Sequence, residues 1–185
     1  DCPYYEQLQY IGDTRIQSLI SMYVSGDDRL VRNALTDFNE SRFFEGLTRS
    51  RYPSANPQII PPFSLYWVDM VNDYWTLRDD HEFVKGFLPG LESVLGWFTQ
   101  RIDKETGMLG KLEYWNFVDW ATEWAWNNET SIGGVPMGGS RDGNSSILSM
   151  QFAYAAKKAS ELFKFYGQPE KAARYSEIAS QITKA

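Results

Sequence analysis

Cysteine and histidine are almost absent from this chain: one of each, Cys2 and His81, occurs in 185 residues. A single cysteine excludes an internal disulfide, and one Cys with one His argues against a zinc site of the usual nitrogen and sulfur ligands. A Ser-His-Asp or Cys-His nucleophile system would have only His81 to draw on. Its setting, "RDDHEF", reads as the polar start of a helix with a solvated imidazole. A basic stripe is missing too. The formal net charge is −6, and Lys and Arg are scattered singly apart from Lys157-Lys158, which argues against nucleic acid as a partner. No stretch approaches the roughly 18 apolar residues of a membrane span, so no membrane partner is expected. Strand-like alternation is nearly absent. With these classes removed, carboxylates are left as the agents of any chemistry, and no cofactor is implied.

Aromatic side chains are abundant: 16% of the residues, including seven Trp and eleven Tyr. Rings in such number need a large core, an interface or a pocket for a ligand with flat apolar faces. The apolar spacing is helical, and it comes in pairs. After Asp13, "TRIQSLISMYV" sets Ile16, Leu19, Ile20 and Tyr23 on one apolar face, and "GDDRLVRNALTDF" restarts behind Asp27 or Asp28 as N-cap. The proline-rich "RYPSANPQIIPPF" reads as a loop. "SLYWVDMVNDYWTL" is apolar nearly all round and so buried on more than one side. Asp79 and Glu82 resemble a capping box for its partner helix, which carries a kink at Pro89-Gly90. A last pair, "SSILSMQFAYAAKKASELFKFYG" and "QPEKAARYSEIASQI", has Pro169 at an N1 position and Tyr175, Ile178, Ala179 and Ile182 on one face. The expectation is an all-α fold of three helical hairpins, without the fixed period of about 34 residues that marks a tetratricopeptide array.

Three segments outside the helices, 1–13, 51–64 and 103–144, each precede the first helix of a hairpin, and in a ring of hairpins such loops converge at one end. Asp1, Glu6 and Asp13 crowd three carboxylates into the first. They form either a solvated acidic start, with Asp13 as a helix N-cap, or a shared pocket in which repulsion and burial keep one carboxyl protonated for use as a general acid. In the third segment, "LEYWNFVDWATEWAWNNET", rings at Trp115, Trp120 and Trp124 interleave with Asp119 and Glu123. Rings that cover the C–H face of a pyranose, beside carboxylates that accept from its hydroxyls, suit a sugar site; the alternative is that about half of these Trp fill the core. "IGGVPMGGSRDGNSS" lacks the phosphate-loop pattern and reads as a flexible rim or lid.

The opening segment, with Asp1, Cys2, Pro3, Glu6, Tyr10, Gly12 and Asp13 in that spacing, resembles the signature of bacterial α-L-rhamnosidases, glycoside hydrolases with a six-hairpin (α/α)6 toroid. "FSLYWVDMVNDYW", "NFVDW" and the Ala-rich last hairpin echo the same family further along. The resemblance implies an inverting hydrolysis of L-rhamnose-containing glycosides. Glu6 would be the general acid, Asp1 and Asp13 would hold sugar hydroxyls, and Tyr10, Asp119 and Trp120 would line the pocket, with Trp115 or Trp124 as further walls. Tyr4-Tyr5 departs from the family's polar, Arg-containing pair, and "VDW" lacks a glycine that many relatives carry before the Asp. The family's general base lies on a later hairpin, so residues 1–185 are expected to be part of a toroid cut from a larger enzyme: inactive alone, prone to self-association through exposed helix faces, and periplasmic or secreted as the relatives are. Two alternatives stay open: another six-hairpin glycosidase, and a non-catalytic helical scaffold that binds a glycan or a protein.

Overall fold

The computed structural model describes residues 4–5, 7–128, 132–136 and 143–185. Asp1, Cys2, Pro3 and Glu6 lie outside the described residues. Among the described residues, seven α-helices make three hairpins: α1 (Ile11–Val24) with α2 (Arg29–Glu40), α3 (Pro61–Leu77) with α4 (His81–Lys85) and α5 (Leu88–Thr99), and α6 (Ser146–Phe165) with α7 (Pro169–Ile182). Among the described residues there is no strand, only isolated bridges. Helix α3 is central, packed against α1 on one side and α6 on the other, while α2 and α5 each touch two of these first helices and α7 packs on α6.

Several boundaries differ from the sequence reading, for local physical reasons. Helix α1 starts two residues before Asp13, with Tyr10 as its N-cap, so Asp13 is an acidic residue of the first turn rather than the cap; a carboxylate there still complements the helix dipole. Helix α3 begins inside the proline-rich segment, because Pro61 and Pro62 occupy its first positions, where a missing N–H costs nothing. The cap of α4 is Asp80, not Asp79: its Oδ1 accepts from the Phe83 amide at 3.1 Å. The second helix of that hairpin is broken at Gly86-Phe87, so Pro89 sits in the first turn of α5 instead of kinking a continuous helix. Pro169 opens α7 as expected, and Tyr175, Ile178, Ala179 and Ile182 are its buried face.

The clearest correction concerns α1. An amphipathic helix ordinarily turns its apolar stripe to the core, yet Ile16, Ile20 and Tyr23 are exposed, and the face against α3 carries Ile11, Thr14, Ser18 and Met22. Small side chains on that buried face let the helices approach. A second exposed apolar stripe, Ile147, Met150 and Tyr154, runs along α6. The core proper is built from Trp67, Tyr74, Phe38, Phe98, Phe152 and Phe163, all fully buried, with stacked pairs at Phe98–Phe152 (5.3 Å) and Phe163–Tyr175 (5.5 Å).

Helix α6 keeps Ala155, Ala156 and Ala159 at 0% exposure, which lets neighbouring helices lie close. Ala159→Leu is expected to lower unfolding free energy by about 1–3 kcal/mol through overpacking. Chemical denaturation of the variant beside the wild type measures it.

Candidate functional site

The three loop segments do converge. A cavity of about 600 Å³ opens at the end of the hairpins where α1 and α3 begin, within the range of roughly 300–1,000 Å³ typical of small-molecule sites. The first segment and α1 contribute Tyr10, Gly12, Asp13 and Arg15; the second segment and α3 contribute Ile60, Phe63 and Tyr66; the third contributes Trp115, Phe117, Asp119 and Trp120.

Backbone stitching holds the first segment. Ile11 N–H donates to Ser50 O (3.0 Å) and Tyr52 N–H to Gln9 O (3.1 Å), while Arg51 Nη1 donates to the Tyr10 hydroxyl at 2.6 Å. Gly12 lies against the Phe63 ring, where an added Cβ would come within 3.0 Å of it. This close approach seats the first turn of α1, with Asp13, over the start of α3.

The aromatic wall is a chain of ring contacts: Phe63 to Phe117 (5.9 Å), Phe117 to Trp115 (5.0 Å) and Phe117 to Trp120 (5.1 Å). Asp119 Oδ1 accepts from the Trp120 amide at 2.7 Å, and Trp120 remains 61% exposed, a ring face open to a ligand. The wall is fastened from behind by the glycine-rich segment. Trp115 Nε1 donates to Gly133 O (2.9 Å), Val118 N–H to Gly134 O (2.8 Å), and Gly134 N–H to Trp124 O (2.7 Å). Gly134 has φ +67°, and a Cβ there would lie 2.2 Å from the Phe117 ring.

The expectation of a flexible rim is therefore corrected at both described ends of this segment. Gly133, Gly134 and Pro136 are buried, and Asn144 is held by its amide on Leu109 O (2.6 Å) and by its side chain on Thr106 (2.6 Å). Composition reported glycine, but not that glycine was needed for close packing.

Of the residues singled out in the sequence, Tyr10, Asp13, Trp115, Asp119 and Trp120 line the cavity together. Trp124 does not; it sits in a short 3-10 helix, Thr122–Trp124, behind the wall. Asp1 and Glu6 lie outside the described residues. His81 is also away from the cavity, half-exposed, its Nε2 3.0 Å from Asp79 and its ring against Phe165.

A charge cluster beside the cavity escaped the sequence reading. Arg15 of α1 lies 3.0 Å from Asp69 and 3.1 Å from Asp73, both on α3. Asp69 is 2% exposed. Burial pushes its carboxyl up to about 7; the Arg15 guanidinium opposes that shift, Asp73 adds to it, and Lys158 opposes it. For Arg15, burial works against the charge, but Asp69 and Asp73 together outweigh it and hold the guanidinium above its usual value. The available signal was two aspartates one helical turn apart in a helix otherwise apolar on every side, since buried acids are rare unless paired.

Helices paired into hairpins, with rings and carboxylates around a cavity at their loop ends, are the architecture of this domain. The chain belongs to the family described as the bacterial α-L-rhamnosidase six-hairpin glycosidase domain, whose model matches residues 1–185. Among solved structures, a GH78 family rhamnosidase of Bacillus sp. GL1 matches with TM-score 0.83 and 24% identity over 100% of this chain and 18% of its own. A rhamnosidase from Klebsiella oxytoca with rhamnose bound matches at 0.80 and 21%, over 100% of this chain and 33% of its own. An α-L-rhamnosidase from Dictyoglumus thermophilum matches at 0.71 and 18%, over 100% of this chain and 19% of its own. This chain thus spans a third or less of each. No curated protein sequence matches it.

Two outcomes test the site's construction. Gly134→Ala places a Cβ in a left-handed backbone and against Phe117, and should destabilise the aromatic wall by on the order of 1–3 kcal/mol, read as a red-shifted tryptophan emission and a lower Tm. Asp69 has a folded pKa above its unfolded value, so its contribution to stability is full below about pH 4 and is lost as pH rises through 7. Asp69→Asn should remove a fall on the order of 2 kcal/mol between pH 5 and pH 8, measured by denaturation at each pH. A wild type whose stability instead climbs through Asp69 ionisation would show the Arg15 pairing to outweigh burial.

Proposed function

We propose that this domain carries the general acid and part of the sugar pocket of an inverting α-L-rhamnosidase. The observation that supports this most is the cavity itself: Asp13 and Asp119 line it together with the rings of Tyr10, Trp115 and Trp120, acceptors for hydroxyls in one space with flat faces for C–H. Membership of the rhamnosidase domain family and the rhamnose bound by the Klebsiella oxytoca relative support L-rhamnose as the sugar.

Glu6, four residues before Tyr10 in the chain, is the acid in this reading. Its proton goes to the glycosidic oxygen as the bond to the anomeric carbon breaks, and the aglycone leaves as an alcohol. A water attacks the anomeric carbon from the opposite face and gives its proton to a second carboxylate, so the configuration inverts. That base belongs to a hairpin other than the three described here, so this chain supplies the acid side of the site and not the base. Asp1 and Asp13 hold hydroxyls, while Trp115, Asp119 and Trp120 form the opposite wall. Trp124 acts behind that wall, through its carbonyl contact with Gly134. The exposed stripes of α1 and α6 support self-association of the isolated chain, and a sharp monomer in sedimentation velocity would count against it.

The test is hydrolysis of an aryl α-L-rhamnoside by the full-length polypeptide that carries this domain, followed by NMR of the first anomer released. Inverted rhamnose is expected, with Glu6→Gln lowering kcat by at least 10³-fold. Retained configuration would exclude the inverting assignment, and an active Glu6→Gln would exclude Glu6 as the acid.

A further inference from the structure

We propose that Arg15 is a substrate-binding residue of the cavity, a specificity-setting donor to one sugar oxygen, with Asp69 and Asp73 as the residues that position it. The inference rests on the sugar-site reading above and adds a residue to that site.

Arg15 is held as few surface arginines are. Its Nε donates to Asp73 Oδ2 at 3.1 Å, and its Nη1 lies 3.0 Å from Asp69 Oδ2. Both carboxylates stand on α3, one helical turn apart, so the guanidinium is held at two of its nitrogens by one rigid element while its own stem rises from α1. Its carbon sits 5.9 Å from the centre of the Tyr66 ring, a second cavity residue. A guanidinium has five N–H donors in a planar fork. Two nitrogens are engaged by these carboxylates, and no acceptor among the described residues engages Nη2.

The side chain is 21% exposed, and Arg15 lines the cavity. Part of its surface therefore borders the space a ligand would fill.

The chemistry complements the rest of the wall. Asp13 and Asp119 can only accept hydrogen bonds when ionised, so they read the hydroxyl hydrogens of a sugar. A cavity that also has a fixed cationic donor reads an oxygen lone pair, and the matching ligand is a pyranoside with an oxygen placed to accept from Nη2 while neighbouring hydroxyls donate to the carboxylates. Because two carboxylates fix the fork before the ligand arrives, little side-chain freedom is lost on binding. Removal of the partnered oxygen should cost affinity, since the site's donor is then left unsatisfied.

The test is a ligand–protein cycle in the full-length polypeptide, using methyl α-L-rhamnoside and its 2-, 3- and 4-deoxy analogues as competitive inhibitors of aryl rhamnoside hydrolysis. Wild type should lose at least 10-fold in Ki for one deoxy analogue. Arg15→Gln should weaken the parent rhamnoside by a similar factor, with KM rising more than kcat falls, and should no longer distinguish the parent from that analogue.

Arg15→Lys, which keeps the charge but cannot span both carboxylates and the ligand, serves if Arg15→Gln fails to fold, and should blunt the same discrimination. Equal losses for every analogue in the Arg15 variants would mean a structural role only, and would overturn the proposal while leaving the rhamnosidase reading intact. A folded wild type that neither binds nor hydrolyses an α-L-rhamnoside would overturn that reading, and this one with it.

Discussion

Helix α3 is enclosed by protein along nearly its whole length, and that enclosure is the constraint on which the rest depends. Its buried residues run from Pro61 through Tyr74 and include Asp69 and Asn72. A carboxyl group in such a place must be neutralised or paired, and Arg15 reaches over from α1 to do so. The ion cluster ties the first two hairpins together at the level where the cavity begins. Replacing it by apolar residues need not weaken the fold. What would be lost is the fixed direction of a cationic side chain.

Three kinds of fastening converge on the cavity, and each uses a different force. The first segment is held by backbone hydrogen bonds to residues 50 and 52. The start of α1 is held by steric fit, with Gly12 against Phe63. The aromatic wall is held by the carbonyls of Gly133 and Gly134 and by edge-on ring contacts. All three belong to the loop ends of the hairpins, so the helices bear the load while the loops carry the polar and aromatic groups. Trp120 can stay open on one side because Trp115 and Phe117 behind it are already packed.

The fold class was readable because hairpin helices leave strong local traces. The period of α2, the Pro169 start of α7 and its Tyr175 to Ile182 face needed nothing beyond neighbours in the chain. The reading failed where a neighbour in space decided the outcome. On α1 the apolar stripe of Ile16, Ile20 and Tyr23 was visible, but periodicity shows only that a face is apolar, not what covers it. In the glycine-rich segment, the composition pointed to mobility, while Gly134 is required by the nearness of Phe117.

The sequence by itself determined that the protein is helical, that its helices pair, and that its chemistry is carried by carboxylates and aromatic rings on three loops. Those properties follow from spacing, from proline and capping residues, and from the near absence of Cys, His and basic runs. Only the tertiary structure decided which of those side chains share a cavity. It brought Tyr10, Asp13, Asp119 and Trp120 to one space, set Trp124 behind the wall, and added Arg15 with the buried Asp69 and the partly buried Asp73. The physical reason is that burial and pairing are relations between segments far apart in the chain. Asp69 and Arg15 are 54 residues apart, and nothing local to either one shows that α3 loses its water when α1 and α6 close over it.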